Sequence, residues 1–389
     1  MNVGIVGGGL GGLTAAISLL QAGFDVDVYE QAQELAEVGA GIQVSPNASR
    51  VLHGLGLADD LARLGVRPLA WQQRRWDDGR ELLRTPLGDA AIETFGFPHY
   101  QMHRADLQSV LVDALPAERV HAGHRFTGLQ DLGGRVEATF ENGERIEVDV
   151  LVGADGIHSS VRESLFGPAT PRFTGCAAYR GLIPAEQLDD LGLEVTSQVW
   201  MGPDKHFVHY FVQSGLVNFV AVVEQDTWTR ESWTDAGDVA DALAAFDGWH
   251  PQVLAILGAV DETFVWALFD REPLERWSVG RVTLLGDACH PMLPFIAQGA
   301  AQAIEDGAAL TTCLDQVEDV PAALRLYESL RLSRTSRIQA AAAGNKTRFH
   351  LRDGPEQEAR DAELASGSTD WTPSAARWIY SYDASALTP

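Results

Sequence analysis

The chain has 389 residues, 46% hydrophobic and 21% charged, so it can bury a sizeable core in two domains or one large one. Its formal net charge of −25 disfavours nucleic acid as a partner, because phosphate backbones are bound by basic side chains. No apolar run is long enough to span a bilayer, so no membrane association is expected. Three isolated cysteines without a C-x-x-C motif predict no metal site and a reducing, cytoplasmic location.

The first thirty residues follow the order strand, glycine turn, helix, strand and acid. The glycines of a G-x-G-x-x-G motif are Gly7, Gly9 and Gly12, and Glu30 ends the second strand. The first glycine permits a tight turn, the second lets backbone N–H groups approach a pyrophosphate, and the third lets helix and strand pack closely. The acid can accept hydrogen bonds from a ribose hydroxyl. The motif alone also suits an ordinary glycine turn, but in this context it predicts a dinucleotide site.

Periodicity predicts helices over 48–64, 103–115 and 298–314, and hairpins at 74–83 and 137–148. Buried strands of the parallel type are expected at 148–152 and 281–287. Strands also dominate between residues 173 and 277, at 177–183, 197–201, 206–212, 217–224 and 263–269. The pattern predicts an α/β fold, in which a Rossmann-like nucleotide-binding domain is interrupted by a mostly antiparallel β-sheet domain and followed by C-terminal helices.

The predicted boundaries divide the chain into three parts. The Rossmann-like domain is discontinuous and comprises residues 1–172 and 280–345. The inserted sheet domain comprises residues 173–279, and a C-terminal helix and tail comprise residues 346–389. For residues 71–99, membership of the inserted domain is an open alternative.

Two further motifs follow apolar strands. The motif G-A-D-G-x-x-S-x-V-R begins at Gly153 and includes Asp155 and Gly156, and a G-D pair occurs at Gly286 and Asp287. Each by itself is typical of a turn, with a helix cap in the first case. An aspartate at the carboxyl end of a parallel strand is also where open α/β sheets bind ligands.

The order of the motifs is more specific than any one of them. G-x-G-x-x-G, H-R-A-D-L at 103–107, G-A-D-G-x-x-S-x-V-R, and G-D-A-x-H-P-x-x-P with Q-G at 298–299 occur in that order. This series resembles the single-component FAD aromatic hydroxylases, the para-hydroxybenzoate hydroxylase family. The likeness covers about residues 1–345 and is strongest to the group of salicylate, 3-hydroxybenzoate and 6-hydroxynicotinate hydroxylases.

The resemblance implies a resident FAD and a transient NADH or NADPH, which agrees with a single G-x-G-x-x-G motif. It implies adenosine contacts at the motif glycines and Glu30, phosphate contacts at Arg104, a nicotinamide role around Asp155, and a ribityl contact at Asp287. A helix beginning near Gly299 would direct its positive end at the flavin ring and stabilise negative charge there. The implied FAD-binding residues are therefore Gly7, Gly9, Gly12, Glu30, Arg104, Asp155, Gly156, Asp287 and Gly299.

The implied reaction is hydroxylation: NAD(P)H reduces FAD, O2 adds at flavin C4a, and the resulting hydroperoxide attacks an electron-rich ring. A phenol is more nucleophilic once deprotonated, so a general base contributes about 10²–10⁴-fold. His206 and Tyr210 are the candidate catalytic residues, because they lie four apart in a strand and share a face with Val208. His209 and Phe211 are expected on the opposite face. The alternative is that His206 and Tyr210 are ordinary half-buried sheet residues.

The candidate substrate-pocket residues are Gln43, Tyr179, Arg180, Pro294 and Phe295. Tyr179 and Arg180 are candidates to bind a carboxylate, since arginine offers a bidentate fork; an interdomain ion pair is the alternative. Gln43, Pro294 and Phe295 stand where related hydroxylases have other polar residues. The loss of polar groups at Pro294 and Phe295 indicates a more apolar pocket wall.

The expected activity is hydroxylation of a small hydroxyaromatic carboxylate, most similar to that of salicylate hydroxylase, with the aromatic substrate and O2 as partners. Three alternatives are a hydroxynicotinate substrate, a larger aromatic of secondary metabolism, and a flavoprotein that binds ligand without turnover. A homodimer is left open. His290 is left undecided between a flavin contact and a turn cap.

Overall fold

The computed structural model describes residues 1–34, 40–213, 215–225, 236–367 and 376–386. The strands are β1 Asn2–Val6, β2 Asp25–Tyr29, β3 Gly41–Val44, β4 Ala70–Arg75, β5 Glu81–Pro86, β6 Tyr100–His103, β7 Val120–His121, β8 Phe126–Asp131, β9 Val136–Phe140, β10 Arg145–Val148, β11 Val150–Gly153, β12 Arg172–Pro184, β13 Ser197–Gly202, β14 Lys205–Val212, β15 Leu216–Glu224, β16 Ala236–Gly237, β17 Thr263–Asp270, β18 Ser278–Val279 and β19 Val282–Leu284.

The α-helices are α1 Leu10–Gln21, α2 Pro46–Gly54, α3 Ala58–Leu64, α4 Asp89–Phe95, α5 Arg104–Asp113, α6 Ser160–Phe166, α7 Val239–Ala245, α8 Pro251–Leu257, α9 Gly299–Gln316, α10 Val320–Phe349, α11 Pro355–Ser366 and α12 Arg377–Tyr380. Short 3₁₀ helices occur at Ala117–Arg119, Ala185–Leu191, Gly286–Ala288 and Pro294–Ile296. No helix in the described part of the chain is long and apolar enough to cross a membrane.

A mostly parallel sheet positions the glycine motif. Its strand order is β18-β19-β11-β1-β2-β7, and β1 pairs in parallel with β2 on one side and β11 on the other. All four residues of β11 are buried, as expected for a strand of a parallel sheet covered on both faces. The turn after β1 therefore lies beside the carboxyl ends of two neighbouring strands, where the predicted dinucleotide site belongs.

The second large sheet has eight strands in the order β16-β17-β12-β15-β14-β13-β4-β5. Its pairs are antiparallel except that β13 runs parallel to β4. The predicted hairpin around Asp78 and Gly79 forms β4 and β5 and extends this sheet at one edge. The α/β fold class is confirmed, while the exact domain boundaries stay a prediction.

Helices near the carboxyl terminus differ most from the sequence prediction. The long α10 runs unbroken from Val320 to Phe349 and crosses the predicted domain boundary at residue 345. The tail packs on α10, where Trp378 and Tyr382 lie over arginine guanidinium groups. Trp371 lies outside the described residues.

Near the amino terminus, the prediction of a single helix over 48–64 is wrong. The helices α2 and α3 are separate, and Gly56 between them has φ of +86°.

Candidate active site

A cavity of about 340 Å³ runs from the glycine turn to the face of the eight-stranded sheet. The glycine turn and the segment around Asp287 line one part of it. The other part is lined by side chains from β13, β14 and β15 and by Phe349 at the end of α10. A cavity between the two sheets can hold a dinucleotide at one end and a small ligand at the other.

The three motif glycines have different structural reasons to be glycine. Gly7 has φ of +110°, and a Cβ there would lie 2.3 Å from the carbonyl oxygen of Ala154. A Cβ on Gly12 would lie 2.1 Å from the carbonyl oxygen of Gly7. Gly9 lines the cavity, and a Cβ there would meet no atom within 4 Å. The first two glycines thus allow close packing, whereas Gly9 leaves room for a ligand.

The carboxylate of Glu30 folds back onto the glycine turn. One oxygen accepts a hydrogen bond from the backbone N–H of Gly8 at 2.7 Å, and the other accepts from Ala32 N–H at 2.8 Å. The acid at the end of β2 is therefore held beside the turn, as the dinucleotide motif requires.

Asp287 and Gly299 both line the cavity. The side chain of Asp287 is exposed to the cavity. Its pKa is raised, because loss of solvation by water outweighs the opposing effects of His290 and Arg104. Gly299 begins the 18-residue α9, so the positive end of that helix faces the cavity. Arg104, the first residue of α5, also lines it. Open glycines, a helix N-terminus and an arginine suit the phosphates and ring of FAD.

Asp155 mainly caps a helix. Its carboxylate accepts hydrogen bonds from the Ser159 hydroxyl and from the backbone N–H groups of Ser160 and Val161 at the start of α6. Burial raises its pKa, although these hydrogen bonds oppose the shift. Asp155 is not among the cavity-lining residues, whereas its neighbour Gly156, with φ of +77°, is. The Asp155 carboxylate is thus engaged at the start of α6, and its role in FAD binding stays a prediction.

His206, Val208 and Tyr210 line the cavity together, and His209 points away from it. Burial lowers the pKa of His206 well below its usual value, with a smaller effect from His350, so its imidazole is neutral near pH 7. Burial raises the pKa of Tyr210 to about 12, which keeps its hydroxyl protonated. The pair offers one neutral imidazole and one hydrogen-bond donor to a ligand.

Arg180 is a half-buried cation on the cavity wall. Its guanidinium lies over the Trp266 ring, 4.4 Å from the centroid, and no carboxylate of the described residues lies within ion-pair distance of it. Burial lowers its pKa, and Tyr210 and Arg104 are the charged or polar groups that influence it. A half-buried guanidinium with no carboxylate partner in the described part of the chain is suited to bind an anionic ligand.

The structure corrects the pocket prediction for Tyr179. This side chain points to the opposite face of β12 and packs in a core cluster with Phe219 and Phe246. The reason is the two-residue period of a strand, which sends Tyr179 and Arg180 to opposite faces. Tyr179 is therefore not among the residues that line the cavity.

The other predicted pocket residues lie on the cavity wall. Gln43 donates to the Ser197 hydroxyl at 3.2 Å and its oxygen lies 3.2 Å from His99 Nε2, so its amide is fixed. Phe295 meets the His206 ring edge-on at 4.9 Å between centroids. Pro294 also lines the cavity.

His290 does not line the cavity. Its Nε2 lies 2.6 Å from a carboxylate oxygen of Asp306, and both side chains are buried. Asp306 also binds Arg331, so His290 belongs to a buried charged cluster beneath α9. Its role is structural, and a flavin contact is not supported by its position.

Sequence reasoning missed several lining residues. Met292 and Val199 were not singled out, although the alternation of β13 and β14 could have placed Val199 beside Val208. Phe349 carried no usable signal, because it reaches the cavity from the end of α10, more than a hundred residues along the chain.

Comparison with known proteins identifies the family. Residues 1–343 match the family described as FAD binding domain. The chain is 42% identical over 390 residues to a 3-amino-4-hydroxybenzoate 2-monooxygenase of Streptomyces platensis, covering 99% of this chain and 97% of that protein. It is 40% identical to a 6-hydroxynicotinate 3-monooxygenase of Pseudomonas fluorescens, covering 88% and 91%.

Two solved structures are similar to this chain over nearly its whole length. Klebsiella pneumoniae HpxO, complexed with FAD and uric acid, superposes with a TM-score of 0.86 at 30% identity, covering 95% of this chain and 94% of that one. A salicylate hydroxylase substrate complex gives 0.85 at 27% identity, covering 99% and 96%. The chain belongs to the FAD-binding aromatic hydroxylase family, and it is an FAD-dependent aromatic monooxygenase of the hydroxybenzoate and hydroxynicotinate type.

Proposed function

We propose that the chain hydroxylates a small hydroxyaromatic carboxylate, with 3-amino-4-hydroxybenzoate as the leading substrate. The observation that carries the proposal is the set of His206, Tyr210 and Arg180 on one wall of the cavity. These groups match a phenol and a carboxylate on one ring. The relatives at 42% identity are named for 3-amino-4-hydroxybenzoate, which moves the expectation away from salicylate.

In this proposal, Gly9, Arg104 and Gly299 would hold FAD, which would pass electrons from NADH or NADPH to O2, the source of the transferred oxygen atom. His206 accepts the phenolic proton, which makes the ring more nucleophilic. Arg180 and the protonated Tyr210 hydroxyl bind the substrate carboxylate. Val208 and Phe295 close the apolar wall and exclude water from the ring. The reductant, a homodimeric state and a cytoplasmic location remain predictions from the sequence.

A hydroxynicotinate is the second candidate substrate. It also carries a ring hydroxyl and a carboxylate, and the relative named for 6-hydroxynicotinate is 40% identical. To distinguish a hydroxynicotinate from a benzoate, the site needs a polar group that hydrogen-bonds the ring nitrogen, and Gln43 and His99 are the candidate polar residues for this contact. The amide of Gln43 is already engaged by Ser197 and His99, which favours the benzoate.

The test is oxidation of NADH and of NADPH by the FAD-loaded protein with 3-amino-4-hydroxybenzoate, 6-hydroxynicotinate or salicylate. Hydroxylated product and hydrogen peroxide are quantified together. We expect 3-amino-4-hydroxybenzoate to stimulate oxidation with product formed in step with the reductant consumed. Peroxide alone would make it a ligand that is not hydroxylated, and stoichiometric product only from another acid would reassign the substrate.

The carboxylate contact has its own test. Replacing Arg180→Gln should raise KM for 3-amino-4-hydroxybenzoate by roughly 10-fold or more, because a charge-assisted hydrogen bond contributes about 1.5–3 kcal/mol. Parameters for 2-aminophenol, which is the same ring without the carboxylate, should change much less. Arg84→Gln, on an exposed arginine paired with Glu194, is the matched control. Equal losses with both ligands would contradict a carboxylate role for Arg180.

A further inference from the structure

His206 is one end of a hydrogen-bonded series that leads from the cavity to the protein surface. Its Nδ1 lies 2.7 Å from Nε2 of His350, and Nδ1 of His350 lies 2.8 Å from Oε1 of Glu224. His206 and His350 are buried, whereas the Glu224 side chain is 37% exposed. Two further side chains, His350 and Glu224, thus connect the cavity-lining imidazole of His206 to solvent.

The backbone holds the three groups in place. The turn between β13 and β14 contains Asp204, whose N–H donates to the carbonyl oxygen of His350 at 3.0 Å. The carbonyl oxygen of Asp204 accepts from the Glu224 N–H, also at 3.0 Å. Asp204 has φ of +60°, a left-handed conformation that aspartate tolerates better than most residues. One turn therefore fixes the end of α10 against the end of β15.

The charge at the outer end sets the proton positions along the series. An ionised Glu224 only accepts hydrogen bonds, so Nδ1 of His350 carries the proton that it donates to the carboxylate. Nε2 of neutral His350 is then an acceptor, and Nδ1 of His206 must be its donor. Nε2 of neutral His206 is left as a lone pair, the form that a general base for the cavity ligand needs.

We propose that His350 and Glu224 are positioning residues for His206, fixing its basic tautomer and conducting the phenolic proton to solvent. The step rests on the proposed function for its proton source. The phenol O–H gives its proton to His206 Nε2, His206 Nδ1–H passes one to His350 Nε2, and His350 Nδ1–H passes one to Glu224. Glu224 releases it to water, so His206 keeps no positive charge and the negative charge of the phenolate remains on the ring to be hydroxylated.

A cation site is the competing explanation, because ligand atoms of Cys176, Glu224 and His350 lie close enough together to hold a metal ion. The ammonium group of Lys346 opposes it. Lys346 donates to the carbonyl oxygen of Thr174 at 2.8 Å, and its charge acts on both Cys176 and His350. The charged groups that act on His350 are therefore the acids Glu224 and Asp204 and the cation Lys346, and its Nε2 faces the neutral imidazole of His206.

The first test is the tautomer of His206 in the FAD-loaded protein, read from ¹⁵N-histidine NMR without substrate. We expect His206 protonated at Nδ1 only, and a mixture of tautomers in Glu224→Met. Glu144→Met is the matched control, because Glu144 also binds a histidine, His124, at 2.8 Å, and neither of these two residues lines the cavity. A wild-type His206 protonated at Nε2, or an unchanged tautomer in Glu224→Met, would overturn the proposal.

The second test measures proton transfer. Glu224→Gln keeps an acceptor oxygen for His350 but is a far weaker proton acceptor than a carboxylate. With 3-amino-4-hydroxybenzoate we expect kcat to fall roughly 10-fold or more, the low end of a general-base contribution, with KM little changed and a larger solvent deuterium isotope effect. His350→Gln should behave alike, and Glu144→Gln should not.

The two tests separate failure of this inference from failure of the proposed function. A wild-type protein that hydroxylates none of the three acids, yet has the expected tautomers, rejects the proposed function and supports the positioning of His206. A wild-type protein that is active, with kcat of Glu224→Gln and His350→Gln within twofold of it, rejects proton conduction.

Discussion

Gly9 shows how a single missing methyl group creates a binding surface. The space beside its Cα is open and lines the cavity. In Gly9→Ala a methyl group would occupy space that the cofactor pyrophosphate approaches, and overpacking of this kind costs about 1–3 kcal/mol. FAD affinity should therefore fall roughly 5- to 150-fold, measured by titrating the apoprotein and following flavin fluorescence, while the melting temperature of the apoprotein stays the same.

Gly54→Ala is the control for this prediction. A Cβ on Gly54, at the end of α2, also meets no atom within 4 Å, but Gly54 does not line the cavity. Alanine in a helix is favoured over glycine by up to about 1 kcal/mol, so this variant should be at least as stable as the wild type and bind FAD normally. Equal FAD affinity in Gly9→Ala and Gly54→Ala would show that the cofactor does not approach Gly9.

His206 and His209 can be compared to test the proposed base, because their side chains lie on opposite faces of β14 and only His206 lines the cavity. His206→Asn removes the imidazole from the cavity and should lower kcat/KM with 3-amino-4-hydroxybenzoate by about 10²–10⁴-fold. The flavin absorbance spectrum should not change. His209→Gln alters a buried histidine outside the cavity and should lower kcat/KM by less than threefold. Similar losses in both variants would assign the effect to packing of β14 instead.

At the scale of elements, α9 and α10 are joined by buried charges. Arg331 on α10 lies 2.7 Å from Asp306 and also binds Glu305, and all three side chains are fully buried. The pKa of Asp306 is lowered to about 2, because His290 and Arg331 outweigh the effect of burial. The carboxylates are therefore ionised at neutral pH, and they depend on Arg331 for compensation.

Removing that arginine should be costly. Arg331→Met leaves two buried carboxylates with less compensation, and breaking a buried pair in this way typically costs about 3–5 kcal/mol. Urea unfolding with excess FAD measures the loss. Arg63→Met is the control, since the exposed pair of Arg63 with Asp60 on α3 contributes at most about 1 kcal/mol. A loss below 1 kcal/mol in Arg331→Met would mean that the cluster is compensated by other groups.

The same two helices explain what the sequence could not predict. On α10 the buried positions include Arg331, Thr335 and Asn345, so the apolar period of a buried helix is interrupted by polar residues. The partners of Arg331 lie on α9, and Asn345 donates to the carbonyl oxygen of Phe295 in the 3₁₀ helix before α9, so these pairings appear only once the chain is folded. The Thr335 hydroxyl instead donates to backbone carbonyls of α10 itself. By contrast, β1, α1 and β2 could be predicted from the sequence, because the glycine turn, the helix and Glu30 all lie within thirty residues of one another.

The eight-stranded sheet was predictable in part. Two-residue alternation correctly grouped His206 with Tyr210 and separated them from His209, since this depends only on the geometry of one strand. The same rule should have separated Tyr179 from Arg180. Alternation does not tell which face of a strand meets the cavity, and that choice depends on strands β4 and β13 to β15, which come from distant parts of the chain.

At the scale of the whole molecule, buried histidines make stability depend on pH. Burial lowers the pKa of His99 to about 4 and that of His209 to about 3, with Arg74 adding to the effect on His209. Both are neutral in the folded protein, whereas the unfolded chain binds protons near pH 6.5. Their contribution is complete above pH 6.5 and declines as the pH falls, because protons then favour the unfolded state.

Between pH 6.5 and 5, each of these histidines should lower the free energy of unfolding by about 1.6 kcal/mol, because the slope reaches its limit of about 1.4 kcal/mol per pH unit only below pH 6.5. Asp306 does not contribute in this range, because its carboxylate takes up a proton mainly below pH 4 in both the unfolded and the folded protein. The free energy of unfolding, measured in urea at both pH values with the same excess of FAD, should fall less in the double variant His99→Gln, His209→Gln than in the wild type. His158→Gln, on an exposed histidine, should retain the wild-type slope. A double variant with the wild-type slope would place the acid sensitivity elsewhere, with the buried His206 as the next group to test.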